Sequence, residues 1–408
     1  MTDYLVERHV VRQTNPDFMV ADNLCFLSKN LFNATLYHVR QAFFAGEPYL
    51  DYATINKRFT YDRQPDYTAL PAKVAKHTQK LVDKAYRAFF ALKRHKDPKI
   101  SSKARIPAYL DKTDGRQVVH YEKGALSLVR DGYIKLSKTD IVIKTKLTRN
   151  QIEFVRIVHK GNHIVYEVGY KANYPEKQPK QGHIASIDIG LNNLATITST
   201  VDSPVIINGK PLKAINQYAN KHIAKEQKKL DTGVKQSTKQ KDNLWLKRKH
   251  KISNYLHKAS RLIVNYLVLN HINTLVIGKN VGWKQNIDIG KRNNQNFVQI
   301  PFATFIKMLT YKCYLVGINV EIQQESYTSK CSFLDDEPIC KHESYVGKRI
   351  KRGLFKSANG KLINADVNGS ANILKKHLQS QATWNDQTRS DLVERCSNAF
   401  VQKLTPHW

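Results

Sequence analysis

The chain has 408 residues, with 66 Lys or Arg against 34 Asp or Glu, and its formal net charge is +32. No run of about 18 apolar residues occurs, and the N-terminus lacks an apolar leader core, so we expect neither a membrane span nor a secretory signal. The five cysteines are scattered, which argues against a disulfide framework and predicts a reducing cytosol. The charge predicts a polyanionic partner: nucleic acid first, a membrane surface as the alternative.

The first 175 residues predict a helical segment flanked by β-structure. Residues 1–15 predict a strand, residues 16–99 a helical lobe, and residues 100–175 a series of short strands. Asp131-Gly132 is typical of a hairpin turn, because such turns need positive φ angles. We therefore expect residues 100–175 to form a small barrel or a sandwich, to which residues 1–15 add a strand.

After a polar linker at 174–182, the pattern changes to alternating strands and helices as far as residue 378. Residues 379–408 are polar, and we expect a flexible C-terminal tail. The helices at 72–96 and 211–260 are strongly basic, which favours contact with phosphates; a solvated surface is the alternative. The residues that we expect to bind nucleic acid on these helices are Lys76, Lys80, Arg87, Lys228, Lys229, Lys247, Arg248 and Lys249.

Asp188 lies in an apolar run that predicts a buried strand. A buried carboxylate normally needs a metal ion, a cation or a proton. Gly190, two residues later, lets the backbone approach another group closely. The alternative interpretation is an aspartate that caps a turn at the end of the strand.

A second polar motif surrounds Asp366, at the predicted start of a helix. Asn368 and Asn372 are four residues apart and so share one helix face. The alternative is an ordinary N-cap, with Asn364 or Asp366 accepting from free backbone N–H groups. Two carboxylates from distant segments of one α/β core are suited to gather Mg²⁺ ions.

These residues carry a resemblance to a known family. Asp188-x-Gly190-x-x-Asn193 and the segment from Asp366 to Asn372 resemble the first and third RuvC motifs of the TnpB (OrfB) family, as do residues 297–302 and 327–330. The resemblance implies a multidomain α+β protein. An RNase H-like (RuvC) α/β nuclease domain at 182–378 would follow a wedge-like β-barrel with an inserted helical recognition lobe.

The resemblance also implies a function. TnpB proteins are RNA-guided DNA endonucleases of insertion sequences, related to type V CRISPR effectors. It implies a bacterial cytoplasmic enzyme, a guide RNA from the transposon end, a double-stranded DNA target, and two Mg²⁺ ions or Mn²⁺. Two alternatives stay open: a catalytically dead RNA-guided DNA-binding protein, and an RNA-independent, transposase-associated nuclease. The implied catalytic and metal-binding residues are Asp188, Glu325 and Asp366, with Gly190, Asn193, Asn368 and Asn372 in support.

Glu325 enters this set because the chain departs from the family pattern. The family usually has Glu at the end of the strand around 274–277, where this chain has Gly278. Glycine has no side chain to bind a cation, so either the nuclease is inactive or another carboxylate replaces the missing one. Glu325 follows the neighbouring strand and resembles the relocated Glu of some members. Glu321 is the weaker rival, and a surface position for Glu325 is the plain alternative.

The insert at about 331–360 departs from the pattern as well. The family commonly has two Cys-x-x-Cys pairs here, whereas this chain has only Cys331, Cys340 and His342. Structural zinc needs four ligands in close pairs, so we expect a degenerate ribbon without zinc. The loop at 283–296 is expected to gate the substrate or contact the guide duplex, with a solvated loop as the alternative. The basic run of the insert, which we expect to contact phosphate, comprises Lys348, Arg349, Lys351 and Arg352.

Overall fold

The computed structural model describes residues 4–130, 132–177, 179, 182–230, 238–280, 299–397 and 401–406. The chain divides into two compact units, Met1–Ala172 and Asn173–Trp408. The loop at 283–296 lies outside the described residues. No helix in the described ranges is long and apolar enough to cross a membrane.

The first unit contains helices and two antiparallel sheets. The main sheet has the strand order β1-β7-β6-β2, and the second has the order β3-β4-β5. The helices are α1 (Asp17–Phe44), α2 (Tyr52–Tyr61), α3 (Pro65–Thr68), α4 (Ala72–Lys93) and α5 (Pro98–Ser101). The strands are β1 (Tyr4–Arg12), β2 (Val119–Glu122), β3 (Leu126–Arg130), β4 (Tyr133–Leu136), β5 (Val142–Lys144), β6 (Ile152–His159) and β7 (His163–Lys171).

One apolar core joins the helices and strands of this unit. Leu31 and Leu36 of α1 and Val82 of α4 are buried in the same cluster as Val155 and Val168 of the main sheet. The helical lobe and the β-structure, which the sequence predicted as separate domains, therefore share a core and form one compact unit.

The second unit is built on a six-stranded mixed sheet with the order β12-β11-β8-β9-β10-β16. β8, β9 and β10 are consecutive antiparallel neighbours, whereas β11 and β12 run parallel to β8. The strands are β8 (His183–Asp188), β9 (Asn193–Ser199), β10 (Val205–Asn208), β11 (Ile272–Gly278), β12 (Asn319–Gln323) and β16 (Gln402–Leu404).

Helices cover both faces of this sheet. Alternate residues of β8 and β11 point to opposite faces, as the two-residue period of a strand requires. Ile187 and Ile277 pack in one apolar cluster, and Ile184 and Val276 pack in the other. The helices are α6 (Lys210–Gln227), α7 (Lys239–Leu269), α8 (Phe302–Tyr314), α9 (Ala365–Ser380) and α10 (Asp386–Ser397).

A small antiparallel sheet, β13-β14-β15, forms the insert before α9. Its strands are β13 (Lys348–Lys351), β14 (Leu354–Lys356) and β15 (Leu362–Asn364). A buried carboxylate organises the preceding loop: Glu337 accepts from the backbone N–H groups of Ser332 at 2.6 Å and Val346 at 3.0 Å.

The structure corrects the prediction of a flexible tail. Residues 386–397 form α10, whose Leu392 and Cys396 are buried against α9 and the sheet. Gln402–Leu404 then pairs in parallel with β10 and becomes an edge strand of the six-stranded sheet. Polar composition predicted mobility, but two apolar residues four apart are enough to hold a helix on a core.

Candidate active site

Three acidic residues meet where the parallel strands of the large sheet end. Asp188 is the last residue of β8, Glu325 follows β12 by two residues, and Asp366 lies in the first turn of α9. Desolvation and the negative charges of Glu325 and Asp366 raise the pKa of Asp188 to about 8, while Arg349 acts in the opposite direction. The structure therefore places Glu325 and Asp366 near enough to Asp188 for their charges to act on it, and their role as metal ligands stays a prediction.

Gly278 ends β11 beside Glu325. A Cβ atom at this position would lie 2.9 Å from Oε2 of Glu325 and 2.4 Å from Cδ1 of Ile373. Asn280 Nδ2 donates to Oε1 of Glu325 at 3.4 Å, and burial raises the pKa of Glu325. The carboxylate of Glu325 thus lies next to the strand end at Gly278.

Glu321, the rival of Glu325, lies in a different environment. Its Oε2 is 3.8 Å from Nδ1 of His377, near the end of α9, whereas Asp366 is at the start of that helix. A helix rises 1.5 Å per residue, so His377 lies about 16 Å further along the axis than Asp366. Glu321 also lines a cavity of about 460 Å³ with His377 and Arg395, away from the carboxylate cluster.

Asp366 is held by two side chains. Asn193 Nδ2 donates to Oδ2 at 2.7 Å, and the guanidinium of Arg349 donates to Oδ1 at 3.1 Å. The sequence predicted Asn193 as a supporting residue and Arg349 only as a phosphate contact. The ion pair between Arg349 and Asp366 escaped sequence reasoning, because Arg349 sits in an insert with no motif that ties it to the site.

Asn368 and Asn372 act through the segment that follows Glu325. Asn368 accepts from the N–H of Phe333 at 3.0 Å and donates to the carbonyl of Cys331 at 2.9 Å. Asn372 donates to the carbonyls of Thr328 and Cys331 at 2.9 and 2.8 Å. Both side chains are buried, so they fasten residues 328–333 to α9 and thereby fix the chain next to Glu325.

Two glycines allow close approaches at the site. A Cβ at Gly190 would lie 2.7 Å from the carbonyl oxygen of Asn193, which agrees with the predicted need for glycine there. A Cβ at Gly369 would lie 2.8 Å from Oδ2 of Asp188. Gly369 was not among the site residues predicted from the sequence. Its position between Asn368 and Asn372 in the same motif could have indicated it.

The donor set consists of carboxylate oxygens, which suit Mg²⁺ or Mn²⁺ better than softer metals. In the part of the chain that the structure describes, no three His, Cys, Asp or Glu side chains are already placed to hold a metal ion. Asp366 is instead engaged with Asn193 and Arg349, so Arg349 supplies the positive charge beside the carboxylates in this conformation.

The predicted nucleic-acid contacts differ in their surroundings. Arg248 is partly buried; its Nε donates to Asn216 at 2.8 Å and its terminal nitrogen to the carbonyl of Gln299 at 2.9 Å. These bonds fasten α7 to α6 and residue 299, while the contact of Arg248 with phosphate stays a prediction. The other predicted cations are exposed: Lys76, Lys80, Arg87, Lys228, Lys229, Lys247, Lys249, Lys348, Arg349, Lys351 and Arg352.

Some of these exposed cations have partners within the protein. Arg87 pairs with Asp83 at 2.8 Å, and Lys229 pairs with Glu226 at 2.8 Å.

In the insert, Cys340 Sγ lies 3.3 Å from Nε2 of His342, and Cys331 is buried. The expectation that this insert lacks zinc stays a prediction.

Comparisons with known proteins match the segments that contain Asp188, Glu325 and Asp366. The family model OrfB_IS605, described as a probable transposase, matches residues 163–284, and the model of the Cas12f1-like TNB domain matches residues 302–373. TnpB-like protein ORF457 of Acidianus two-tailed virus is 25% identical over 86% of this chain and 82% of its own length.

Two solved structures are similar to this chain. The Cas12f1–sgRNA–target DNA complex aligns with a TM-score of 0.51 and 14% identity, over 87% of this chain and 82% of that chain. The mini-RNA-guided endonuclease CRISPR-Cas_phi3 aligns with a TM-score of 0.45 and 11% identity, over 91% and 92%. The similarity to the Cas12f1 structure thus shows a multidomain α+β fold. The chain is thus similar, over separate segments, to the OrfB_IS605 and Cas12f1-like TNB family models and, over most of its length, to a TnpB-like viral protein.

Proposed function

We propose that this protein is an RNA-guided DNA endonuclease in which Asp188, Glu325 and Asp366 hold two Mg²⁺ ions, with Mn²⁺ able to replace them. The observation that carries the proposal is the position of Glu325, whose carboxylate lies 2.9 Å from the Cβ position of Gly278. A relocated Glu there restores the third carboxylate that Gly278 removes from the family pattern.

The sheet topology supports an RNase H-like (RuvC) domain. Three consecutive antiparallel strands, β8 to β10, are followed by β11 and β12, which add in parallel on the side of β8. In this arrangement, the ends of β8, β11 and β12 lie side by side, so Asp188 and Glu325 reach one place from distant sequence positions. We assign the helices and antiparallel strands of the first unit to the recognition lobe and wedge of such a nuclease.

The electrostatics of the site support cation binding. Burial, followed by repulsion from the carboxylates of Glu325 and Asp366, disfavours ionisation of Asp188 and raises its pKa. A divalent cation would relieve this repulsion and displace a proton from Asp188. When bound, such ions supply an activated water molecule and stabilise the leaving 3′ oxygen of a phosphodiester. Asn193 would orient Asp366, while Asn368 and Asn372 hold the segment next to Glu325.

The charge and the relatives support RNA and DNA as partners. A net charge of +32 suits a polyanion, and exposed lysines on α4 and α7 supply the charge. The related Cas12f1 structure is a complex with guide RNA and target DNA. We therefore propose a guide RNA from the transposon end and a double-stranded DNA target, read by base pairing, in a bacterial cytoplasm.

The test begins with RNA that copurifies with the full-length protein. Sequencing identifies the guide, and a DNA duplex matching it is then incubated with the complex and Mg²⁺ across a library of flanking sequences. We expect cleavage that depends on the match and on the divalent ion, and that Asp188→Ala abolishes. Cleavage of mismatched DNA without RNA would favour the RNA-independent nuclease instead.

A catalytically dead RNA-guided DNA-binding protein is the second candidate. Gly278 in place of the usual Glu favours it, as does the engagement of Asp366 with Arg349. A complex that binds guide-matched DNA tightly but leaves it intact in both Mg²⁺ and Mn²⁺ would establish this alternative.

A further inference from the structure

The C-terminal strand places a lysine beside the carboxylate site. β16 pairs with β10, with Lys403 opposite Ile206. Lys403 Nζ donates to Oδ1 of Asn193 at 3.4 Å, and Asn193 Nδ2 donates to Oδ2 of Asp366 at 2.7 Å. The ammonium group of Lys403 is therefore linked to Asp366 through a single amide.

Lys403 is exposed, and an ammonium group has three donors, so donors remain after the bond to Asn193. Among the residues that the structure describes, its contact with Asn193 is a neutral hydrogen bond and its charge is not paired with a carboxylate. On the other oxygen of Asp366 lies Arg349, whose side chain is 46% exposed. Two accessible cations thus flank one carboxylate.

We propose that Lys403 and Arg349 form a clamp on the phosphate backbone of the DNA strand that enters the site, one cation on each side of Asp366. Lysine and arginine donate charge-assisted hydrogen bonds to phosphate oxygens, and such contacts fix the register of a strand without reading its sequence. The inference rests on the proposed function. It adds a role for the C-terminal strand β16, which carries Lys403, the second cation of the clamp.

The experiment compares Lys403→Ala and Lys403→Arg with the wild type, using the full-length complex with its copurified RNA. We expect Lys403→Ala to raise the concentration of guide-matched DNA at half-maximal cleavage about fivefold, with little change in the maximal rate. Loss of one phosphate contact reduces the salt dependence of log K by about 1. Lys403→Arg should retain wild-type values, because arginine also contacts phosphate.

Lys307→Ala is the matched control, because it removes the same charge from an exposed position on α8. DNA binding is also measured in an Asp188→Ala background, where the readout does not depend on cleavage. This measurement tests the clamp, whereas cleavage by the wild type tests the proposed nuclease. Equal DNA affinity and salt dependence for Lys403→Ala, Lys403→Arg and the wild type would overturn the clamp. Equal losses in both variants with a lowered Tm would also overturn it, because they indicate a packing role for β16.

Discussion

The backbone of Gly278, at the end of β11, lies directly beside the carboxylate of Glu325. A Cβ at position 278 would lie 2.9 Å from Oε2 of Glu325 and 2.4 Å from Cδ1 of Ile373. A carboxylate on residue 278 and the present position of Glu325 are therefore mutually exclusive.

Exchange of the two residues tests that relationship. We expect Gly278→Glu alone to inactivate the protein, because the added side chain collides with Glu325 and Ile373. In Gly278→Glu/Glu325→Ala the space is released, and cleavage should exceed that of Glu325→Ala by about tenfold or more, measured in single-turnover assays. A double variant that folds, as judged by its Tm, but cleaves no faster than Glu325→Ala would contradict the exchange.

The contribution of Asp188 to metal-free stability should fall as the pH rises from about 4 to about 8. The ordinary pKa of an aspartate is about 3.9, and desolvation, with the negative charges of Glu325 and Asp366, raises the pKa of Asp188 to about 8. Between these values the folded protein binds more protons than the unfolded chain, so stability is present at low pH and is lost through this window. Above about pH 8 the effect levels off.

Thermal unfolding in a chelator, from pH 5 to pH 9, measures this effect. The Tm of Asp188→Asn relative to that of the wild type should increase with pH, because asparagine does not titrate. Mg²⁺ should reduce the difference by stabilising the ionised carboxylates. Parallel Tm curves for the two proteins would show that Asp188 titrates normally and that the carboxylates do not interact.

Gly369→Ala should reduce cleavage without unfolding the protein. The added methyl group would meet Oδ2 of Asp188 at 2.8 Å and displace that carboxylate. Alanine favours a helix by about 1 kcal/mol over glycine, which offsets part of the strain, so we expect a small change in Tm. The single-turnover rate should fall by about tenfold or more. Gln379→Ala, at an exposed position of the same helix, is the control; equal rates for both variants would contradict the prediction.

Arg248 and Lys249 are neighbours in a basic run but should behave differently. Arg248→Gln breaks bonds to Asn216 and Gln299 and should lower the free energy of unfolding by about 1–3 kcal/mol. Lys249→Gln should leave stability unchanged and reduce the salt dependence of RNA binding by about 1. Thermal unfolding and salt titrations of both variants decide; the opposite pattern would show that Arg248 is the phosphate contact.

Buried strands and polar motifs are local patterns, so the sequence predicts the strands that end near Asp188 and Gly278, but not the edge strand β16. An apolar run around Asp188 predicts β8, and four-residue spacing places Asn368 and Asn372 on one helix face. Resemblance, rather than pattern, singled out Glu325. Its approach to Gly278 depends on how β11 and β12 lie side by side, which no local pattern states.

Other features depend on partners far away in the chain. Arg248 is one cation among many until Gln299, 51 residues later, accepts its hydrogen bond. Arg349 likewise looks like a solvated charge until the insert folds back on Asp366. The polar C-terminal region predicted mobility, although a short edge strand needs only a neighbour, β10, with free backbone groups.

Cleavage of guide-matched DNA by Glu325→Gln and Glu321→Gln tests the central claim most directly. The two variants remove one negative charge each from positions four residues apart, and only Glu325 lies with Asp188 and Asp366. We predict that Glu325→Gln lowers the Mg²⁺-dependent single-turnover rate by about a hundredfold or more, as when one group that stabilises a transition state is removed. Glu321→Gln should cleave at a rate close to that of the wild type. Wild-type cleavage by Glu325→Gln, or its loss in Glu321→Gln alone, would contradict the assignment of Glu325 to the metal site.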